Sequence, residues 1–253
     1  MLSTILLHRP LLVGLQEVLA PQLHYINTEL AGMYTAFGVG REDGESAGEH
    51  TAVLVLNQPG VKVLKHGTFW LGTTPAVPGS IGWDAANPRT VTWVCIELER
   101  GAGANNSNGD VGTKARRVLF LNTHMDHMGR LSREESSKQI KRWIRSYDCT
   151  TLTAHVDRNG GGKGGHGGSR GDGGAEDVAG EGSSSSGGGS GCDAIILTGD
   201  LNSERTDNAY RTLVEGETQP THAPSSPSSS AHFYNTAEIS ALPPFGPLVT
   251  FTG

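Results

Sequence analysis

Short apolar runs separated by polar, glycine-rich segments dominate the chain and predict a fold built mainly from strands. The continuous run from Leu11 to Leu15 is typical of a strand that is buried on both faces. Further strands are predicted at Thr51 to Leu56, Val61 to Leu71, Arg89 to Leu98, Arg117 to Asn122 and Ala194 to Leu197. The turn Asn57-Gln58-Pro59-Gly60 predicts that the two strands beside it pair as a hairpin.

Helices are predicted where the apolar spacing changes to that of an amphipathic helix. These segments are Leu2 to His8, Pro21 to Leu30, Ser132 to Tyr147 and Asn208 to Val214. Ser132 is followed three residues later by Glu135, which predicts a capping box at the start of the third helix. Gly38 to Glu49 and Thr73 to Pro88 read as loops. The strand pairs around tight turns favour a mixed or antiparallel sandwich over a doubly wound sheet.

Three segments have a composition that does not suit a folded core. The insertions at 101–112 and 220–230 are poor in apolar residues, and 159–191 is almost entirely Gly and Ser with scattered charge. Such a composition cannot bury enough apolar surface to offset the loss of conformational entropy, so we predict that 159–191 is disordered. The length of 253 residues suits one domain, spanning 1–253 with these insertions.

The chain is acidic, with a net charge of -6 and a pI near 5.9. Proteins that coat nucleic acids normally carry a basic face, because neutralisation of phosphates drives most of their affinity. The charge therefore argues against that class of protein. It fits a metal site that is built from carboxylates.

Cysteine content and the N-terminus predict an intracellular, cytoplasmic protein, with the nucleus as an alternative compartment. Cys95, Cys149 and Cys192 are odd in number and form no C-x-x-C pair, so we expect three reduced or buried thiols. The apolar N-terminus lacks a basic leader region and is interrupted by Arg9-Pro10, which disfavours a signal peptide. No apolar stretch is long enough to cross a membrane, so we expect no membrane partner.

Three of the predicted strands end in polar groups that suit a metal. These groups are Glu17 after LLVGLQ, then Asn122, His124, Asp126 and His127 in RVLFLNTHMDH, and Asp200 and Asn202 in AIILTGDLN. Buried strands that deliver such groups at one edge form a polar cluster whose charge needs a cation or another partner. Oxygen ligands favour Mg²⁺, with Mn²⁺ as a substitute. A zinc site using His124 and His127 is an alternative, although the other candidate ligands are hard oxygens.

Five segments, in their order along the chain, resemble the endonuclease/exonuclease/phosphatase superfamily. They are LLVGLQEV, GTFWL, GWDAANPRTVTW, LFLNTHMDHMGRLSREESSKQI and AIILTGDLNSE. The superfamily includes deoxyribonuclease-I-like enzymes, exonuclease III and the deadenylase/nocturnin/Angel branch, near which the GTFWL and PGSIGWDAANPR motifs indicate a separate subgroup. The resemblance runs from Leu11 to Gly253 and implies an α+β fold, a four-layer α/β sandwich of two mostly antiparallel sheets flanked by helices.

The resemblance also implies roles for individual residues. Glu17 matches a metal-binding glutamate, and His124 matches a histidine that hydrogen-bonds the scissile phosphate. Asp200 and Asn202 match a Gly-Asp-x-Asn pair that orients the attacking water and helps to bind metal and phosphate, so that Asp200 is also a metal ligand.

Two further residues match the superfamily less closely. Glu49 resembles a carboxylate that pairs with His124, and an ordinary loop charge is the alternative interpretation. Arg89 resembles an arginine that contacts phosphate, a role that suits guanidinium geometry.

Together these roles imply a Mg²⁺-dependent hydrolase of phosphodiester or phosphomonoester bonds, in which water attacks phosphorus in line with the leaving oxygen. The partner is then a phosphate ester, and RNA or single-stranded nucleic acid suits the acidic charge better than duplex DNA does. A 3′-to-5′ exoribonuclease of the deadenylase type is a more specific alternative. A catalytically inactive binding module is an alternative from another class.

The resemblance is incomplete at both ends of the chain. The superfamily has a first strand with an asparagine at the metal site, and Met1 falls after that strand. Its last strands carry a metal-binding aspartate and a Ser-Asp-His sequence, and Gly253 precedes them. We therefore expect a sandwich that is incomplete at both termini, with uncovered strand edges, low stability and little or no activity for this chain alone.

Overall fold

The computed structural model describes residues 1–99, 115–150, 191–215 and 233–236. The predicted insertions at 101–112 and 220–230 lie outside these ranges, and so does the segment predicted to be disordered, except for Gly191. The end of the chain, residues 237–253, also lies outside the described residues.

The described strands form two sheets, with the orders β1-β3-β2 and β4-β5-β6-β7. The strands are β1 (Leu12–Gly14), β2 (Tyr34–Phe37), β3 (Val53–Leu56), β4 (Val61–Trp70), β5 (Thr90–Leu98), β6 (Arg116–His124) and β7 (Ala194–Asp200). All neighbouring strands are antiparallel except β6 and β7, which are parallel. The connection between these two parallel strands contains a helix, as a crossover requires.

The described helices flank the two sheets. They are α1 (Leu2–His8), α2 (Ala20–Glu29), α3 (Arg130–Ser146) and α4 (Asn208–Glu215). Within the described ranges, no helix has the length and apolar character needed to cross a bilayer.

Three apolar clusters separate four layers. Ile26 of α2 packs in one cluster with Leu54 of β3, while the neighbouring Val53 packs in a second cluster with Phe120 of β6, between the sheets. Successive side chains of a strand point to opposite faces, so the different clusters of Val53 and Leu54 show that β3 is covered on both faces. Ile140 of α3 belongs to the third cluster, with apolar residues of β5 and β6. The expected four-layer α+β sandwich is therefore confirmed.

Most of the predicted elements are present within a few residues of their predicted ends, with two differences in the first sheet. The side chains of β1 pack on both faces as predicted, Leu12 in the cluster between the sheets and Val13 in the cluster with α2, but the strand is only half-buried. The strand β2, at Tyr34–Phe37, was not predicted. Its sequence, YTAF, lacks the continuous run of apolar, β-branched residues that identified the equally short β3.

The predicted hairpin around Asn57 to Gly60 is wrong, because the strands on either side of this turn belong to different sheets. Asn57 N–H donates to the carbonyl of Met33, on the side of the first sheet, over 2.8 Å. Gly60 accepts from the N–H of Glu99, next to the second sheet, also over 2.8 Å. The turn thus carries the chain across the sandwich, and a tight turn alone does not tell a hairpin from such a corner.

The predicted capping box of α3 is also wrong. The helix begins at Arg130, so Ser132 lies inside its first turn and is buried. The carboxylate of Asp84 takes the capping role, accepting from Ser132 N–H at 2.6 Å and from Leu131 N–H at 3.2 Å. A carboxylate at this position satisfies otherwise unpaired N–H groups and complements the helix dipole.

The expectation of three reduced or buried thiols is corrected for two of the three cysteines. Cys149 and Cys192 form a disulfide, and only Cys95 is a free, buried thiol among the described cysteines. The two bonded residues flank the glycine-rich insertion on the β6-to-β7 connection, with a sequence separation of 43. Sequence spacing gave no sign of this pair, because the sulfur atoms meet only after β6 and β7 have paired.

A buried amide joins the two sheets. Asn122 Nδ2, on β6, donates to the carbonyl of Leu15 at 2.8 Å and to that of Ala52 at 3.0 Å, which directly follow β1 and precede β3 of the first sheet. Its Oδ1 accepts from Gln16 Nε2 at 2.7 Å. The contact demands a glycine at position 14, because a Cβ there would lie only 2.5 Å from Asn122 Oδ1.

We predict that Asn122→Ala lowers the free energy of unfolding by about 2–4 kcal/mol, because the carbonyl of Leu15 loses the amide donor, that of Ala52 keeps only Leu15 N–H, and Gln16 loses its acceptor. Denaturant unfolding of the purified protein measures this loss. Asn57→Ala is the matched control, since Asn57 makes comparable amide hydrogen bonds at the exposed surface. A loss for Asn122→Ala no larger than that of the control would contradict the role of the amide.

We also predict that reduction of the Cys149–Cys192 disulfide lowers the free energy of unfolding by about 4 kcal/mol, through the entropy of the chain segment that it closes. Denaturant titrations with and without dithiothreitol measure the difference. The double variant Cys149→Ser/Cys192→Ser should unfold like the reduced protein and show no response to the reductant. Identical unfolding of the oxidised and reduced protein would refute the expectation.

Candidate active site

The parallel pairing of β6 and β7 brings two of the predicted site residues side by side. His124 and Asp200 are register partners at the ends of these strands. The carbonyl of Asp200 accepts from Met125 N–H at 2.8 Å. This hydrogen bond fixes the backbone where the two strands end. Gly199 is required here, because its φ is +143° and an added Cβ would collide with the carbonyl of Thr123.

Glu17 reaches the same place from the other sheet. Its Oε1 lies 3.9 Å from Nε2 of His124, and its side chain is 68% exposed. Glu17 has a left-handed φ of +59°, an unusual conformation for a residue with a Cβ. The backbone is held there from both sides: Gln16 bonds to Asn122, and Val18 forms an antiparallel bridge with His50.

Glu49 lies on the other side of the imidazole. Its Oε2 is 3.7 Å from Nδ1 of His124, a charge contact that is longer than a hydrogen bond. The same oxygen accepts from Arg41 Nη1 at 2.6 Å. His124 is therefore flanked by the carboxylates of Glu17 and Glu49, one at each ring nitrogen.

Arg89 is a buried cation with a buried partner. Its Nε donates to Asp126 Oδ2 at 3.2 Å, and its Nη2 contacts His127 Nδ1 at 3.0 Å. Its Nη1 is buried and has no hydrogen-bond partner within the described residues. Nδ1 of His127 therefore faces the guanidinium.

Asp126 organises this part of the site. Its Oδ1 accepts from the N–H groups of Met128 and Gly129, and its Oδ2 accepts from that of Ala86 as well as from Arg89. Burial alone would raise the pKa of Asp126, but these hydrogen bonds outweigh it and hold the pKa at about 2. The carboxylate is therefore ionised and fixes the orientation of Arg89.

Asn202 continues the cluster two residues after Asp200. Its N–H donates to Asp200 Oδ1 and its Nδ2 donates to the carbonyl of Met125, both at 2.8 Å. Like Glu17, it has a left-handed φ, here +46°. Two site residues thus hold conformations that the surrounding hydrogen bonds impose, which is common where side chains must be aimed at a ligand.

The imidazole of His124 is neutral near pH 7. Burial lowers its pKa first, and the positive charge of Arg89 lowers it further, while the carboxylates of Asp200 and Glu17 oppose the shift. A neutral imidazole can donate one hydrogen bond and accept another. Which nitrogen carries the proton depends on the group that it meets.

The six predicted site residues thus fall into one neighbourhood. Glu17, Glu49, Arg89 and His124 line a common small cavity, and Asp200 and Asn202 stand beside it at the end of β7. Within the described residues, no group of three or more His, Cys, Asp or Glu side chains is arranged to hold a metal ion. Glu17, which contacts His124, and Asp200, the register partner of His124, carry the hard oxygen donors best suited to that function.

Two residues of the neighbourhood were missed as site residues. Arg41, in a glycine-rich loop, lines the cavity with Glu49. Asp126 was named among the polar groups that suit a metal, and its link to Arg89 was not foreseen. In the sequence, Arg41 lies eight residues before the candidate carboxylate of Glu49. The polar, glycine-rich loop around it gave no reason to single it out.

Comparisons with known proteins place this geometry in a fold family. A protein from Bacteroides vulgatus, described as an endonuclease/exonuclease/phosphatase, is 26% identical with a TM-score of 0.59, over 85% of this chain and 61% of its own. A family protein of the same description from Bacteroides thetaiotaomicron is 27% identical with a TM-score of 0.56, over 85% of this chain and 56% of its own. The fold is that of the endonuclease/exonuclease/phosphatase superfamily.

A third similar structure from this superfamily is a mannosyl-6-phosphatase from Bacteroides thetaiotaomicron. It is 26% identical with a TM-score of 0.56, over 85% of this chain and 59% of its own. The chain therefore spans 56% to 61% of the length of these solved structures. No protein-family model and no curated protein matches the chain.

We predict that Asp126→Asn lowers the free energy of unfolding at pH 7 by about 2–4 kcal/mol, because an amide nitrogen would face donors that now meet a carboxylate. Denaturant unfolding measures the change. Asp207→Asn is the matched control, since Asp207 accepts from one N–H, that of Glu204, near the surface. A similar loss for both variants would contradict the prediction.

This difference should depend on pH. A carboxyl whose folded pKa is lowered from 3.8 to about 2 contributes its stability above pH 4 and loses it as the pH falls towards 2. The gap between wild type and Asp126→Asn should then be constant from pH 5 to 7 and shrink below pH 4.

Proposed function

We propose that the protein hydrolyses phosphate esters at the cavity between the two sheets. The observation that carries the proposal is the juxtaposition of a neutral, buried His124 between two carboxylates with the buried guanidinium of Arg89, beside Asp200. A cluster of this kind pairs anion-binding donors with groups that can orient and deprotonate water. The superfamily fold and the similar phosphatase structure support the same class of reaction.

Arg89 would bind a non-bridging oxygen of the phosphate. Its Nε is held by Asp126, so the orientation of the guanidinium is fixed before substrate arrives. Its buried Nη1, which has no partner among the described residues, is available for a charge-assisted hydrogen bond. His124 would donate a second hydrogen bond to the scissile phosphate from its neutral imidazole.

Asp200 would position and deprotonate the attacking water. Its Oδ1 accepts from Asn202 N–H, and Asn202 is in turn anchored to Met125, so the carboxylate is aimed by the backbone. Water held here would attack phosphorus in line with the leaving oxygen. The proton of the water would pass to Asp200 as the new oxygen–phosphorus bond forms and the bond to the leaving oxygen breaks.

The proposal includes a divalent cation, Mg²⁺ or Mn²⁺, held by the carboxylates of Glu17 and Asp200. Mg²⁺ in proteins is commonly bound by one or two carboxylates, with water and substrate phosphate completing its shell, which suits this donor set. The ion would supply Lewis-acid stabilisation of the negative charge on the phosphate and the leaving oxygen. The 68% exposure of the Glu17 side chain leaves its oxygens accessible to a hydrated ion.

Hydrolysis of a phosphomonoester and a phosphodiester, measured with Mg²⁺ and with excess EDTA, tests the proposal. Asp200→Asn should lower kcat/KM by about 100- to 10,000-fold, because the base that receives the proton is lost. Glu17→Gln should raise the Mg²⁺ concentration needed for half-maximal activity, and should weaken Mg²⁺ binding measured by calorimetry.

Glu29→Gln is the matched control for Glu17→Gln, because Glu29 is an exposed glutamate on α2. It should leave both the activity and the Mg²⁺ dependence unchanged. If the wild-type protein binds phosphate but hydrolyses neither ester with any added cation, the proposal of an enzyme fails and the binding-module alternative is favoured.

A further inference from the structure

Arg41 is the charged residue of the cavity to which the proposed function gives no task. Its side chain lines the same space as Glu49, Arg89 and His124. It lies in the loop between β2 and β3, far in sequence from β6 and β7. Its position beside the groups proposed to bind phosphate suggests a part in substrate recognition.

The backbone of Arg41 is held from both sides. Its N–H donates to the carbonyl of Glu49 at 3.1 Å, and its own carbonyl accepts from the buried indole Nε1 of Trp70 at 2.7 Å. Positive φ angles at Gly44 and Gly48, +75° and +80°, allow the loop to return on itself. The guanidinium therefore starts from a fixed point rather than from a free surface loop.

The side chain is also mostly buried and only partly satisfied. Nη1 of Arg41 donates to Glu49 Oε2 at 2.6 Å, and the side chain is 13% exposed. Its Nε is buried and has no hydrogen-bond partner in the described part of the chain. A buried N–H without an acceptor is unfavourable, and an anion in the cavity would supply one.

Two guanidinium groups thus share one small cavity. Burial lowers the pKa of Arg89 most and the charge of Arg41 lowers it further, while the carboxylates of Asp126 and Glu49 raise it. The two cations therefore repel each other, although each is paired with one carboxylate. Each has a buried nitrogen without a partner in the described residues, Nε of Arg41 and Nη1 of Arg89. Nδ1 of His124 is a third such atom. A ligand with more than one negative charge and several acceptor oxygens would satisfy this arrangement best.

We infer that Arg41 selects phosphomonoesters over phosphodiesters, an inference that rests on the proposed hydrolysis of phosphate esters. A phosphomonoester carries about −1.5 to −2 charges at pH 7 and has three terminal oxygens. It can therefore accept from Arg41, Arg89 and His124 at once. A phosphodiester carries one charge and has two non-bridging oxygens. Its second ester group would lie where the third terminal oxygen of a monoester accepts a hydrogen bond.

Two substrates with the same leaving group test this inference: p-nitrophenyl phosphate, a monoester, and methyl p-nitrophenyl phosphate, a diester. Arg41→Ala should lower kcat/KM for the monoester by about 10- to 100-fold, the effect of losing one charged hydrogen bond. The value for the diester should change by less than about threefold, since the diester has no oxygen for Arg41. Arg41→Lys should give an intermediate loss for the monoester, because charge is kept without the guanidinium geometry.

Binding of inorganic phosphate gives a readout that is independent of turnover. Calorimetric titration without added metal should show about tenfold or more weaker binding to Arg41→Ala than to wild type. Arg142→Ala, which removes an exposed arginine on α3, is the matched control and should bind phosphate and hydrolyse both esters like wild type. Thermal melts of the variants establish that each is folded, and Arg41→Lys keeps the test valid if Arg41→Ala does not fold.

The outcomes separate this inference from the proposed function. Equal losses for both esters in Arg41→Ala, or no loss for the monoester, would overturn the selectivity of Arg41 while hydrolysis by the wild type still stands. If the wild type hydrolyses neither ester and phosphate binding is the same in wild type and Arg41→Ala, both ideas are wrong. A selective loss on the monoester together with weaker phosphate binding supports the inference.

Discussion

The buried amide of Asn122 is the interaction on which the rest of the structure depends. It ties β6 of one sheet to the carbonyls of Leu15 and Ala52, at the ends of strands β1 and β3 of the other. Glu17 follows Leu15 by two residues, and His124 follows Asn122 by two. One amide therefore fixes the separation of the sheets and, through these short offsets, the distance between the carboxylate and the imidazole. The apolar layer between the sheets favours their association but cannot by itself set this register.

The site also shows how the fold holds side chains where local preference would not. Glu17 and Asn202 both have left-handed φ angles, which cost free energy in residues that carry a Cβ. The paired backbone of Val18 and His50 supports the first, and the bond to Met125 supports the second. The two residues come from different sheets, so the whole sandwich contributes to a geometry that neither sheet could maintain alone.

The sequence predicted what depends on local pattern and motif, and it failed where distant contacts decide. The strands ending at His124 and Asp200 were identified because apolar periodicity and the polar residues after it are both local signals. The cap of α3 by Asp84 was missed, since the partners are more than forty residues apart. The false hairpin has the same cause, because a turn does not encode which sheet the next strand joins. Arg41 was hidden in a loop whose contact with Trp70 exists only in the folded chain.

The Cys149–Cys192 disulfide has a consequence for how the chain tolerates damage. The residues between the two half-cystines separate most of the fold from β7 and α4, and with them from Asp200 and Asn202. A protease that cuts anywhere between the bonded cysteines therefore leaves the two fragments covalently joined. The disulfide also uncouples the length of the insertion from the position of β7, because it anchors the two ends of the insertion to each other. Insertions and deletions there can accumulate over evolution without moving the carboxylate of Asp200.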